Sequence, residues 1–530
     1  MLKRLIENWL IKASERTYEL PFCHLLTAEQ HQVIHLSRHG FLEQGKDILS
    51  IAPDGTPCAY QLKAGNITYS VYNSESDQLR RLVELPIKHS SIPSDIKPRV
   101  YLVTNGNLDE EVKTELQDRN LAWEQRGYPR IETIVLGQLV DRFANASTDF
   151  FPIKLDSTKS LLEFFLNNGK GNLDKSKFFQ FLYSFTSVED IEPKKLDSQR
   201  LIAGLAILAS FSLSPYQETD NHVALFEGWV ICSAVIAAFI ERIDLPERMW
   251  KQTINLTYEM AISSLKSLQE ELQEREFLWE GDPKTDFLFY RARLTWLSGL
   301  VATLQLSNYL TDARYQFDEF SISFIRTHLS ELELWGEGAI PSFLAIMWFL
   351  QKSEPDQTSD VLLEKLIKAI CDYNQEKNSG LFDPYKSIEE AMEEKFNNEV
   401  LGIKPSYSYL GRSYALESVV QLFVRRNWRS RFRFLWPEIS YIDFVEFIPE
   451  YRWQFLRWLN EEEGHLKLRK PNVRQSWTQL RAESSEVNLD QLPHIFRSNP
   501  SFLLLFLMTF PHRVGPNVVK FLDDVLSPKK

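Results

Sequence analysis

Hydrophobic and polar positions follow two different rhythms along the chain, and the change falls near residue 150. Before it, short apolar runs alternate with stretches of helical spacing. ASERTYELPFCHLLTAEQ carries apolar residues at helical intervals, and QVIHLSR reads as a strand. DILSIA and PCAYQLKA read as two more strands, joined by PDGT. SESDQLRRLVEL reads as a helix and PRVYLVTN as a buried strand stopped by Asn105-Gly106. LDEEVKTELQDRN is a helix whose acidic start suits the helix dipole, and IETIVLG closes the series as a short strand. The order α-β-β-β-α-β-α-β predicts an α/β domain over residues 1–150, with a mixed sheet flanked by helices.

After TDFFPIKLDSTKS the alternation fades. Long helical periodicity dominates, as in RMWKQTINLTYEMAISSLKSLQEELQEREFLW (248–279), so residues 160–530 read as mainly α-helical. The stretch 376–409 suggests a break between a helical domain at 160–385 and a C-terminal helical domain at 400–530. No fixed-period repeat is evident, although stacked helix pairs fit the pattern too. The most apolar runs, 201–213, 229–240 and 502–510, are each shorter than a membrane span and read as buried helices.

Bulk numbers narrow the classes. With 530 residues and 44% hydrophobic content, the chain is long enough for several domains. A formal net charge of −12 excludes a globally basic nucleic-acid coater, so any such contact has to be local. Cys23, Cys58, Cys232 and Cys371 are far apart with no CxxC pair, which argues against a zinc ribbon or disulfide scaffold and for a reducing, cytoplasmic setting. The N-terminal MLKRLIENWLIKASERTYEL lacks the long apolar core of a secretion signal.

The chemistry concentrates in EQGKDILSIAPDGTPCAYQLKAGN, residues 43–66. Ala52-Pro53-Asp54-Gly55-Thr56 suits a type I turn followed by a glycine at positive φ, the three-residue hairpin loop with a bulge. In that register facing residues sum to 108, so position 47 faces 61. Because side chains alternate along a strand, Asp47, Gln61 and Lys63 share one face. A two-residue Asp54-Gly55 loop would send Asp47 to the other face. A carboxylate, an amide and an ammonium on a buried face need partners. A divalent cation supplies one: Mg²⁺, or Mn²⁺, with Asp47 as principal ligand and the Gln61 carbonyl as another or as the orienter of a ligand water. Lys63 would then offset charge near the attacking water or the phosphorane.

These residues resemble the D-xn-(E/Q)-x-K signature of the restriction-endonuclease-like PD-(D/E)XK nucleases, and the glutamine variant resembles their Mrr-like branch. The resemblance covers residues 12–145. It implies that Asp47 is the metal aspartate, Gln61 the E/Q position and Lys63 the lysine, with Glu19 in TYELPF at the place of the first-helix glutamate such families add. Glu29 is the fallback for that role. Gln61 departs from the commoner acid, removing one negative charge from the metal site. The reading that follows is a metal-dependent endonuclease acting on DNA. In it the helical region serves regulation, partner binding or self-association, and the resemblance alone suggests genome defence. The other reading is a non-catalytic nucleic-acid-binding or scaffold protein with a degenerate nuclease fold.

Other features are less specific. Glu43 extends the acidic cluster or sits in a solvated loop. His31, His35 and His39 would form a metal stripe on a helix, but residues 32–38 read as strand. Arg38 and His39 precede the hairpin, within reach of a phosphate; a plain surface role is the stronger alternative for each. FVRRNWRSRFRFLW (423–436) interleaves Arg425, Arg426, Arg429, Arg431 and Arg433 with aromatic residues, as a nucleic-acid groove on a helix would; snorkelling arginines paired with carboxylates are the stronger alternative. KLRKPNVRQSW (467–477) is a second basic stretch. WGEGA is a lone GxG, and no Walker motif is present.

Overall fold

The computed structural model describes residues 2–36, 46–87, 92, 96–147, 155–186, 195–275, 287–353, 358–375, 378–399, 410–458, 466–472 and 474–527. By compactness the chain divides into two units, 1–236 with 243–260, and 237–242 with 261–530.

In the first unit, helices α1 (Leu2–Lys12) and α2 (Glu15–Ala28) precede the sheet. Ser14 caps α2 by accepting the Thr17 N–H at 3.3 Å, and Glu15 adds charge to its first turn. Strands β1 (Gln32–Leu36), β2 (Ile48–Ile51) and β3 (Pro57–Lys63) form an antiparallel meander. Helices α3 (Tyr69–Ser74) and α4 (Ser76–Glu84) lead to β4 (Arg99–Thr104); α5 (Glu110–Gln125) leads to β5 (Ile131–Ile134) and α6 (Leu136–Ser147). The sheet order is β1-β2-β3-β4-β5, with β3, β4 and β5 parallel. The expected mixed five-stranded sheet with flanking helices is therefore present.

Both faces are covered, which is why β3 and β4 are nearly continuous apolar runs. On one face Tyr60, Leu62 and Val103 pack with Tyr18, Phe22 and Leu25 of α2 and Phe143 of α6. Trp9 of α1 meets Phe143 at 5.6 Å and Phe211, on the helix Lys195–Glu218, at 4.8 Å. On the other face Leu49, Ala59, Val100 and Leu102 pack with Leu79 and Leu82 of α4 and Val112 and Leu116 of α5.

The parallel strands β3 and β4 end side by side, with Lys63 opposite Thr104, and the chain beyond them is tightly joined. The buried Asn105 amide donates to the Leu10 and Ala13 carbonyls at 2.6 and 2.7 Å, while its oxygen accepts the Gly65 N–H at 2.6 Å. Thr104 Oγ1 donates to the Gly65 carbonyl at 2.6 Å. A Cβ at Gly106 would lie 2.3 Å from the Gly65 backbone.

The second unit is mostly helical. Its core includes Ile340–Ser353, buried continuously from Ile340 to Leu350, and Pro500–Thr509. It also holds a small sheet that helical periodicity concealed: β6 (Arg412–Ser413), β7 (Asp443–Phe447) and β8 (Leu466–Arg469), in that order. These strands are two to five residues long, too short to display a period. Among the described residues one helix, His222–Ile243, is long and apolar enough to cross a membrane, and 94% of its most apolar window is buried within the protein. All four cysteines are free and buried.

A buried acid in this unit gives a pH dependence. Glu337 accepts the Ser413 hydroxyl at 2.6 Å and the Ala415 N–H at 3.2 Å. Burial outweighs these bonds and pushes its pKa from 4.5 up to about 7, with the Asp383 charge adding to the rise. A folded pKa raised above the unfolded one stabilises fully below pH 4.5 and loses that stabilisation as pH rises through 7. Relative to Glu337→Gln, the wild type should lose up to about 3 kcal/mol of unfolding free energy across that window. Urea titrations over a pH series measure this, and parallel curves for the two proteins contradict it.

Two glycines of the first unit should respond oppositely to alanine. Gly106→Ala pushes a methyl into the Gly65 backbone and should destabilise by about 1–3 kcal/mol or more. Gly137→Ala, in α6 with open space around its Cβ, should be neutral or stabilising by up to about 1 kcal/mol. Chemical unfolding of both variants is the check; equal effects would show that the loop contact is not tight.

Candidate active site at the ends of the parallel strands

The turn forms as its residues dictate. The Ala52 N–H donates to the Thr56 carbonyl at 2.9 Å and the Gly55 N–H to the Ala52 carbonyl at 2.8 Å, with Gly55 at φ +82°. Asp54 accepts the Thr56 N–H at 3.0 Å and pairs with Arg99 at 2.6 Å. Ile48 faces Tyr60, Leu49 faces Ala59 and Ile51 faces Pro57, every pair summing to 108. Ile48 and Tyr60 belong to the α2 face, Leu49 and Ala59 to the α4 face. Alternation therefore assigns Gln61 and Lys63, and the position of Asp47, to the α4 face.

Asp47 sits one residue before β2. Its N–H donates to the Tyr60 carbonyl at 2.8 Å, and its Oδ2 accepts the Leu62 N–H at 2.6 Å. The carboxylate thus extends the ladder where β2 has begun to diverge, and one of its oxygens is held against β3. Gln61 is 2% exposed and its Oε1 is buried with no hydrogen-bond partner among the described residues. Such an orphan costs about 1–3 kcal/mol. Lys63 Nζ lies 3.0 Å from a Glu75 carboxylate oxygen and donates to Gln78 Oε1 at 3.2 Å. Glu75, between α3 and α4, was not foreseen; it approaches Lys63 through the fold, and no local sequence signal marks it.

Glu19 is half-buried on α2, which packs on the opposite face from Gln61 and Lys63. Its neighbour Tyr18 crosses the end of β3, donating its hydroxyl to the Lys63 carbonyl at 2.7 Å. Burial raises the Tyr18 pKa, and the charges of Glu15, Asp47 and Glu19 add to that rise. The charges of Glu19 and Asp47 both act on the Tyr18 hydroxyl at the end of β3. Among the described residues, however, no three His, Cys, Asp or Glu side chains form a ligand set. Glu29 does not substitute: it pairs with Arg142, next to the start of β1, which lies opposite Ile51 at the turn end of the hairpin.

Lys46 was missed, although the GKD run contains it. It is buried, donates to the Arg81 carbonyl in the last turn of α4 at 3.2 Å, and burial lowers its pKa to about 8. His31 hydrogen-bonds Ser50 Oγ at 3.0 Å, and His35 lies in β1, so these two do not make a helical metal stripe. Arg38, His39 and Glu43 lie outside the described residues.

The run 423–436 does not lie on one helix. Leu416–Arg425 ends, Asn427 takes a left-handed φ of +58°, and Arg429–Ile439 begins. Arg425 and Arg426 are committed to Asp523 at 3.0 and 2.7 Å, and Arg425 donates to the Ser484 carbonyl at 2.7 Å. Arg431 pairs with Glu364 at 3.0 Å. Arg429 and Arg433 are exposed and make no ion pair among the described residues.

Comparisons with protein-family models, with curated proteins and with solved structures returned no match.

The orphaned Gln61 carbonyl gives a stability prediction. In the presence of a chelator, Gln61→Met replaces it with an apolar group of similar size and should raise unfolding stability by about 1–3 kcal/mol. Urea unfolding measures it. A loss of stability would show that Oε1 has a partner in solution even without metal.

Proposed function

We propose that the N-terminal unit is a metal-dependent phosphodiesterase of the restriction-endonuclease-like, Mrr-like type, with DNA as substrate. The observation that carries this reading is the buried Gln61 Oε1, without a partner among the described residues, on the face shared with Lys63 and opposite the position of Asp47. The residues fit a divalent cation: Asp47 gives a carboxylate, Gln61 gives a carbonyl oxygen in want of a partner, and the charge of Glu19 acts at the same strand end. A bound Mg²⁺ or Mn²⁺ supplies polarisation of the scissile phosphate and acidification of water. The protein's own groups do the rest. The Leu62 N–H fixes the Asp47 carboxylate, Gln61 orients its oxygen from a rigid central strand, and Lys63 offers positive charge to the phosphorane. Glu75 and Gln78 hold that ammonium in place, and Glu75 reduces its net field.

The location suits this chemistry, since ligands of open α/β sheets bind beyond the carboxyl ends of parallel strands. The buried free thiols suit a cytoplasmic protein, and the helical unit supplies surface for a partner or for self-association. A second reading, a nucleic-acid-binding module that does not cleave, draws support from the Lys63–Glu75 ion pair and from the lack of a three-acid cluster among the described residues.

The test is a cleavage panel over double-stranded DNA, single-stranded DNA and RNA with Mg²⁺ or Mn²⁺, joined to calorimetric Mg²⁺ titration. Asp47→Ala should abolish cleavage. Lys63→Ala should lower the rate by about 10²–10³-fold with little change in metal affinity. Gln61→Glu should tighten Mg²⁺ binding. Equal Mg²⁺ affinity in wild type, Asp47→Ala and Gln61→Glu, with no cleavage, would leave the non-catalytic reading.

A further inference from the structure

The helix Arg429–Ile439 buries Phe432 and Ile439 against its own unit. At 100° per residue, Arg429, Arg433, Trp436 and Ser440 form a stripe along one flank of that buried face. The opposite flank carries Arg431, paired with Glu364, and Glu438 one to two turns beyond. Trp436 and Trp477 both pack on Phe432, with ring centroids 5.2 and 5.6 Å away. Trp477 opens the helix Trp477–Ser485, which Ser476 caps, and Arg481 follows one turn later on the same side. Arg474 stands in the turn before the cap.

The result is a basic and aromatic surface on an acidic chain. Trp436 and Trp477 are partly exposed, and Arg429, Arg433, Arg474 and Arg481 are exposed with no ion pair among the described residues. Phe434, beside Arg433, is 81% exposed. The stripe contains no acid: Glu438 lies on the Arg431 side, and Glu483 lies 200° round its helix from Arg481. Four guanidinium groups without an ion pair among the described residues, in a protein of net charge −12, are a local reversal of sign. They flank two indole rings that already have one side packed and so lose little freedom on binding.

We propose that this surface binds single-stranded nucleic acid. Arginine forks recognise phosphate oxygens, and exposed aromatic rings give bases a stacking platform. A duplex keeps its base faces covered, so the rings would have nothing to stack on; a single strand offers both partners at once. The site rests on the helical unit's own residues and does not depend on the metal-site reading.

The test uses the full chain with EDTA present, so that cleavage and the metal site play no part. Fluorescence anisotropy with a labelled oligodeoxythymidine reads the affinity across a salt series. The wild type should bind, with affinity falling as salt rises. The double variant Arg433→Glu/Arg481→Glu should bind at least tenfold more weakly and lower the salt slope by about 1.4, near 0.7 per lost phosphate contact. Phe434→Ala, a truncation in solvent off the stripe, should bind as wild type. Arg431→Ala should bind as wild type. Circular dichroism confirms that each variant is folded. No binding by the wild type, unchanged binding by the double variant, or equal competition by duplex DNA would each overturn the assignment.

Discussion

Order at the open end of the N-terminal sheet depends on the side chain of Asn105. A primary amide has two donors and an acceptor on one rigid plane, and here all are used at once. The donors take the Leu10 and Ala13 carbonyls at the C-terminal end of α1, where Leu10 also accepts the Ala13 N–H at 3.1 Å. The acceptor takes the Gly65 N–H, two residues past Lys63. One side chain therefore closes α1, pins the chain leaving β3, and joins both to the end of β4. A hydroxyl is too short to reach three backbone groups, and a carboxylate has no donors for the two carbonyls. Gly106 completes the arrangement by letting the two exit loops touch backbone to backbone. Gln61 and Lys63 sit on a strand that this junction holds in place, and Asp47 is tied to that strand through the Leu62 N–H.

Much of this unit could be read from local rules. The hairpin register followed from Pro53-Asp54-Gly55 because turn type and strand alternation are properties of a few adjacent residues. The order of the five strands and of α2, α4 and α5 among them followed from period and punctuation, while α1, α3 and α6 did not. Asn105-Gly106 was legible only as a stop; its role as a clamp needs Leu10 and Ala13, more than ninety positions away in sequence. Glu75 escaped notice for the same reason. In the helical region the period was clear, but β6, β7 and β8 were invisible because their partners are distant and their lengths minimal. The break at Asn427 was concealed by the assumption that a basic-aromatic run continues one helix. Asparagine tolerates a positive φ, and here it uses that freedom.

The arginines of 423–436 show how one run of sequence divides under packing. Arg425 and Arg426 turn inward to Asp523, which also accepts the Trp348 indole N–H at 3.1 Å. A carboxylate buried to this degree is tolerable only with such partners, and they keep its pKa below the usual range despite burial. Two arginines thus serve the core, a third pairs on the surface, and the remainder keep their charge for solvent or a ligand. Spacing alone could not sort them, because the sorting depends on where Asp523 and Glu364 arrive from.

The hairpin turn carries an obligation out of proportion to its exposure. Pro53, Asp54 and Gly55 face solvent at the end of the sheet far from Asp47. Surface loops of this kind usually drift freely in length over evolutionary time. This one cannot, because inserting or deleting a single residue would move Asp47 by one step against Gln61 and rotate it out of the group. At the tip, Gly55 is held to glycine by its φ of +82°, Pro53 and Asp54 are freer to change, and changes of length are ruinous. The loop behaves as a ruler: what it has to keep is its number of residues and the glycine that closes it.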